Sequence, residues 1–415
     1  MEAHLFGRLI PALQARRILM QEVRPIARVE TVAVTEAFDR LAAAPVRSAQ
    51  GVPAFARATW DGYALRSEDV RTARPGRPVS LNVVGEVFAE TRFAGRVGRG
   101  EAVAIATGAS VPPGADAVEI FEEVERRGTT VTLRAPVRPA ARIAPPGSDL
   151  RRGEILVRRG ERLLPAALAA VAASGRATVP VYARPIVAIV PNGNELRSPG
   201  SRARPGEIFE SNNAALAAVV RAAGGVPRPI PPVRDDADAI ERALRRALRD
   251  ADLVLATGGS SVGERDHLPR IFPRIGRLLF HGVAVRPGKP TLAATAHGRL
   301  LVGLPGHPTS CLLNMHWLML PVLHRLARRP GPGWTVRRLP LTGVAAAPSP
   351  GFSTVVPLHV GASGVRPTFH GSSAVRSLRG ADGFAILPPG RREARAGTVL
   401  NVHVLEPPLG PAGRR

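Results

Sequence analysis

Between Ile186 and Ala256 the chain alternates short apolar runs with Ala-rich, helix-period stretches, and this alternation restricts the possible folds more than any other feature. Ile186 to Val190 is an unbroken apolar run that meets a turn. Ser211 and Asn212 offer caps for a helix ending near Gly224-Gly225, and Val226 begins a further extended stretch. Asp235-Asp236 then caps a helix reaching about Arg249, with Leu253 to Ala256 as the next buried strand. The pattern predicts an α/β domain built on a doubly wound parallel sheet, whose ligands bind beyond the carboxyl ends of its strands. Four loops are expected at that edge: Pro191 to Leu196, Thr257 to Asp266, Arg286 to Pro290 and Pro305 to Ser310.

The flanks have a different texture. Residues 1–180 mix an N-terminal helical segment with short strands separated by Gly and Pro turns, as at Arg74-Pro75-Gly76, Pro112-Pro113-Gly114 and Pro145-Pro146-Gly147. After Pro330-Gly331-Pro332-Gly333 the helical period disappears, which predicts a small all-β module. Three regions are therefore expected, at 1–180, 181–330 and 331–415.

The 57 basic residues set against 33 acidic ones give a formal charge of +24, and every basic residue except Lys289 is Arg. The arginines are scattered in pairs such as Arg126-Arg127 and Arg245-Arg246, and aromatic residues amount to 4%. A nucleic-acid partner, which needs a contiguous basic face and stacking platforms, is therefore not expected. The single lysine stands in Arg286-Pro287-Gly288-Lys289-Pro290, a turn that reads as an anion grip, because a compact ammonium acts as a point charge where a guanidinium acts as a fork. Cys311 is alone, so no intramolecular disulfide forms and any metal must take oxygen ligands or His. No run of about 18 uncharged apolar residues exists and no signal-peptide pattern opens the chain, so no membrane partner and a cytoplasmic location are expected.

Thr257-Gly258-Gly259-Ser260-Ser261-Val262-Gly263 follows a buried strand, and its glycines let backbone N–H groups close on a phosphate. Glu264-Arg265-Asp266 comes directly after, and Asp235-Asp236 falls at the same sheet edge. Carboxylates beside a phosphate cradle are the usual means of holding Mg²⁺, while a purely structural reading leaves Asp235 and Asp236 as helix caps. Arg286 and Lys289 flank the third turn. The fourth loop, Gly303 to Ser310, enters a helix whose N–H groups and Ser310 hydroxyl suit a dianion, and His307 is read there as a titrating group or a structural hydrogen-bonding one. Trp60-Asp61-Gly62-Tyr63-Ala64, Thr107-Gly108 and Pro112 to Asp116 name no reaction by themselves.

Taken together, these segments resemble the molybdopterin molybdotransferase family, which includes the C-terminal domain of gephyrin. The resemblance runs through WDGYA at 60–64, ATGASVPPGADAV at 106–118, NGNEL at 192–196, Asp235-Asp236, TGGSSVGERD at 257–266, RPGKP at 286–290, GLPGHP at 303–308 and SSAVRSLRGADGFAILPP at 372–389. It implies an elongated N-terminal region with a β-rich insert, the α/β domain, and a C-terminal β-barrel. It also implies a homodimer, contact with the molybdopterin adenylyltransferase, and insertion of molybdate into adenylylated molybdopterin with release of AMP. On this resemblance Asp61, Thr107, Glu195, Asp235 and Asp266 are the catalytic set, with Asp235 and Asp266 holding Mg²⁺. Gly258, Gly259 and Ser261 of the glycine-rich loop are expected to bind substrate, and the resemblance implies the same for Arg286, Lys289, Ser310 and Ser373.

The chain departs from the family pattern at Asn194, where an acid is usual, at His307 in place of Asn, at Arg286 and Gly282 in place of lysines, and at Gly351 to Val356, which lacks an arginine. Two readings follow: an active transferase, and a catalytically impaired relative that holds the pterin as a scaffold or carrier.

Overall fold

The computed structural model describes residues 9–261, 266–347 and 349–406. The chain divides into two compact units, one formed by Met1–Arg28 with Ala183–Arg415 and the other by Val29–Tyr182.

The sheet of the first unit contains β1 (Ile186–Pro191), β2 (Val226–Pro229), β3 (Leu253–Thr257), β4 (Arg277–His281), β5 (Leu292–Ala296) and β6 (Arg299–Leu304). Their order is β2-β1-β3-β6-β5-β4. Alternate residues of β1 and β3 supply opposite faces: Val187, Ile189, Leu253 and Leu255 join one core, and Ala188, Val190, Val254 and Ala256 join the other. Burial on both faces explains the continuous apolar runs, each Val or Leu contributing roughly 1.5–3 kcal/mol. Strand order reverses about β1, so the crevice opens where β1 and β3 end, and there Asn192 N–H donates to the Thr257 carbonyl at 2.9 Å.

The expectation of an all-parallel sheet needs correction. β1, β2, β3 and β6 are mutually parallel, but β5 runs antiparallel to β6, and β4 antiparallel to β5. The cause is local: His297 and Gly298 both have positive φ, at 52° and 72°, forming the two-residue turn that joins strands head to tail.

The N-terminal helix Ala12–Glu22 also departs from the expected 1–180 region. It buries Ala12, Ala15 and Leu19 in the core that contains Val187, Leu216 and Trp317. Just beyond, Arg28 clamps Asp252 with bonds of 2.6 and 2.8 Å. An apolar stripe dictates burial without dictating which core accepts it.

The strand Val283–Arg286, which leads into the lysine turn, lies outside the central sheet. It pairs in parallel with Ser353–Gly361 and with Ile10–Pro11, and so belongs to the C-terminal sheet together with Gly364–Pro367, Gly383–Leu387, Val399–Leu405 and Trp334–Pro340. The Arg286–Pro290 loop therefore does not leave the central sheet edge as expected. The chain changes sheets at Gly282, whose φ of +91° suits a glycine.

The second unit contains a six-stranded mixed sheet in the order Ala117–Ile120, Gly62–Leu65, Glu101–Ile105, Val79–Val87, Thr130–Leu133, Val124–Arg127. Two-stranded pairs join Val29–Ala33 to Thr178–Tyr182 and Val46–Arg47 to Ile155–Val157, beside the helix Pro165–Ala173.

Candidate active site

Two cavities lie side by side within the first unit. The larger, about 1200 Å³, is lined by Glu195, Asp235, Asp266, Gly258, Gly259, Ser261 and Ser373 among others. The smaller, about 610 Å³, is lined by Arg286, Lys289 and Ser310, together with residues of the C-terminal sheet. Pro290, Pro305 and His307 border both. Acids thus face one chamber and cations the next.

Each wall has a local cause. Asp236 caps the helix Ala237–Asp250 by accepting from Ala239 N–H at 2.7 Å, which contributes about 1 kcal/mol. Asp235 does not cap: its carboxylate accepts the Asn194 N–H at 3.1 Å while its own N–H donates to Asn194 Oδ1 at 3.2 Å. The two adjacent acids therefore divide between structure and cavity. Gly258 has φ +88°, and a Cβ there would lie 2.4 Å from the Asn192 carbonyl oxygen, so the loop closes only with glycine. Its N–H donates to Leu304 at 3.3 Å, which corrects the expectation that this group faces a phosphate. Val262 to Arg265 lie outside the described residues, and so does that part of the expected cradle.

The lysine turn is held from several sides. Lys289 carbonyl accepts from Val283 N–H at 2.9 Å, and Gly288 carbonyl accepts the Thr291 hydroxyl at 2.7 Å. Gly288 has φ +123°, and a Cβ there would lie 2.0 Å from Asn314 Nδ2; that side chain donates to Ser310 carbonyl at 2.7 Å. The turn is thus seated directly against the helix that carries Ser310. The start of that helix is less open than expected, because Thr309 N–H donates to Ser372 at 3.1 Å and its hydroxyl to Ala374 at 2.8 Å.

Asp61 and Thr107 belong to the other unit. There the Asp61 carboxylate accepts the Thr107 N–H at 2.7 Å, and both residues are exposed.

Residues 10–175 match the MoeA N-terminal region (domain I and II), residues 188–325 a probable molybdopterin binding domain, and residues 345–405 the MoeA C-terminal region (domain IV). The chain belongs to the MoeA family. It is 33% identical over 382 residues to the molybdopterin molybdenumtransferase of Bacillus subtilis, spanning 90% of this chain and 89% of that protein. The corresponding Staphylococcus aureus protein is 30% identical over 381 residues, with 91% of each chain covered. A crystal structure of a MoeA protein from Pyrococcus horikosii superposes with a TM-score of 0.81 at 33% identity, covering 96% of this chain and 99% of that one. The MoeA likeness therefore extends to a multi-domain α/β fold with sheet-rich domains.

Several departures from the MoeA pattern have visible partners. Asn194 bonds Asp235 twice, through its backbone N–H and through Oδ1, an oxygen that a carboxylate at this position would also present. His307 Nδ1 lies 3.3 Å from the Ser372 hydroxyl, and the Arg286 guanidinium lies 5.0 Å from the centroid of Phe352, in the stretch that lacks arginine.

Three contributors escaped the sequence reading. Glu210 lines the larger cavity at 3% exposure; burial pushes its carboxyl up, against the Asn213 and Asn212 N–H groups that favour the charged form. It accepts from Asn213 N–H at 3.0 Å, which is the capping role expected of Ser211-Asn212. An acid just before a helix start was the available signal. Asn192 turns its amide nitrogen to the Thr257 and Gly258 carbonyls at 3.0 and 3.1 Å, leaving Oδ1 about 3.5 Å from an oxygen of Asp235. His281 Nε2 lies 3.3 Å from the Ser260 carbonyl, and burial lowers its pKa against the opposing effects of Ser260 and Asp266.

Proposed function

We propose that this MoeA-family chain is an active molybdopterin molybdenumtransferase, moving molybdate into adenylylated molybdopterin and releasing AMP. The observation that carries the reading is the pair of adjoining cavities, with Glu195, Asp235 and Asp266 on one and Arg286, Lys289 and Ser310 on the other. A pterin nucleotide is long enough to need the first chamber, and a tetrahedral oxyanion is small enough for the cationic end of the second.

The donor set fits Mg²⁺. Such sites take one or two carboxylates plus substrate phosphate oxygens, and Asp235, with the Asn192 oxygen turned toward it, and Asp266 offer hard oxygens only. Bound there, the ion supplies charge neutralisation for a pyrophosphate. The protein's own part is positioning. Lys289 draws the oxyanion, the seating of Gly288 against Asn314 holds the lysine turn against the helix that carries Ser310, and the narrow Gly258–Gly259 turn lets substrate approach the backbone.

The proposal includes a homodimer, with Asp61 and Thr107 as a hydrogen-bonded pair serving the reaction, a cytoplasmic setting, and docking to the adenylyltransferase. No helix among the described residues is long and apolar enough to cross a membrane. It also includes a barrel description of the C-terminal module, supported by the bridge from Leu341, beyond Trp334–Pro340, to Val365 in the hairpin.

Incubation with adenylylated molybdopterin, molybdate and Mg²⁺ tests the reading through AMP release. Tight pterin binding without AMP would replace it with the scaffold or carrier role.

A further inference from the structure

We propose that the C-terminal module carries a second oxyanion site, separate from the molybdate pocket, in which Arg366, Arg376 and Arg379 with His359 and His370 take a phosphate-class dianion. These residues converge on a concavity of about 240 Å³ completed by Thr368 and Gly380, and no carboxylate lines it. It shares no lining residue with either cavity described above.

The cluster is distinguished by the convergence of three arginines and two histidines on one concavity with no carboxylate in its lining. Several exposed arginines elsewhere are matched: Arg127 and Arg134 share Glu125, Arg245 and Arg274 share Glu241, and Arg395 faces Glu393. Arg366, Arg376 and Arg379 have no acid partner among the described residues. The nearby acid, Asp382, is already engaged, since one carboxylate oxygen lies 2.8 Å from His359 Nδ1 and accepts the Val360 N–H at 2.8 Å. Three guanidiniums that line one concavity favour a bound dianion, to which they would supply charge-assisted hydrogen bonds.

The fold builds the convergence. His359 and Arg366 are direct cross-strand partners in the hairpin Ser353–Gly361 and Gly364–Pro367. Arg376 lies in the 3₁₀ turn Val375–Leu378 and Arg379 follows it three residues on, a spacing that puts both on one side. Ser377, fully buried, fixes this segment: its hydroxyl accepts the His370 N–H at 2.8 Å and donates to Gly371 at 3.2 Å, while its carbonyl accepts the Thr368 hydroxyl at 2.7 Å. The same segment presents Ser373 and Val375 to the larger cavity. An anion held by Arg376 therefore braces the segment that supplies Ser373.

Calorimetric titration of the full chain carrying Lys289→Ala, so that the molybdate pocket does not compete for the anion, with inorganic phosphate, pyrophosphate and AMP at fixed ionic strength tests the site. Added to that background, Arg366→Gln/Arg376→Gln is expected to weaken binding at least about tenfold, the cost of removing two charge-assisted contacts. Arg379→Gln, at an exposed position, provides a second arm with the same direction should the double variant fold poorly. Binding of the inorganic ions alone identifies free phosphate as the source, and equal binding of AMP identifies a nucleotide phosphate. No measurable binding, or equal affinity in the arginine variants, would overturn the proposal. Because the molybdate pocket is already disabled in this background, failure here is distinguishable from failure of the transferase reading.

Discussion

Thr354 is the register partner of Arg286 in the parallel pairing that joins the lysine-bearing turn to the C-terminal sheet, and its buried hydroxyl has no hydrogen-bond partner among the described residues. An unpaired buried hydroxyl costs about 1–3 kcal/mol, so the near-isosteric Thr354→Val should stabilise the chain by about 1 kcal/mol. The urea midpoint at unchanged slope is the measurement. A fall in midpoint would show that the hydroxyl is satisfied.

Lys289→Ala should abolish molybdate-dependent turnover with the fold intact. Lys289→Arg should rescue poorly, because a planar fork does not fill the position of a compact ammonium. AMP release against molybdate concentration, with circular dichroism as the fold control, decides the matter; unchanged activity in the alanine variant removes the anion-grip reading.

Asp235→Asn keeps an oxygen for the Asn194 N–H, so the loop should hold while the charge disappears. AMP release should fall by about two orders of magnitude or more, the scale of losing one electrostatic contributor to a transition state, with pterin affinity changing much less. Equal loss in both would mark Asp235 as structural.

Glu210 makes a pH prediction whose sign follows from burial. Its folded pKa is raised, so between the unfolded and folded values the native state holds the extra proton. Stability therefore declines as pH rises through that window, and the deficit is complete above the folded pKa. Glu210→Gln should raise the thermal midpoint at neutral pH, leave it unchanged well below the usual Glu range, and flatten the profile between. A parallel upward shift at every pH would assign the gain to something other than ionisation.

Much of the α/β domain was legible because its signals are local. The β1 and β3 runs, the helix between Asp236 and Asp250, and the break at Gly224-Gly225 all follow from side-chain period and caps. The antiparallel edge was missed because His297-Gly298 is a less familiar form of a turn usually written Asn-Gly. Glu210 was missed because its importance comes from burial, which no neighbour in sequence reports.

The sequence by itself determined the alternating strands and helices of the α/β domain and which loops carry acids or the lone ammonium, since these depend on side-chain period and charge within a few residues. Only the tertiary structure decided that Asp235 faces a cavity while Asp236 caps a helix, that the strand before Lys289 joins the C-terminal sheet, and that acids and cations occupy adjoining chambers. The reason is that pairing partners and burial are set by contacts between residues far apart in the chain, whose competing alternatives look alike in any local window.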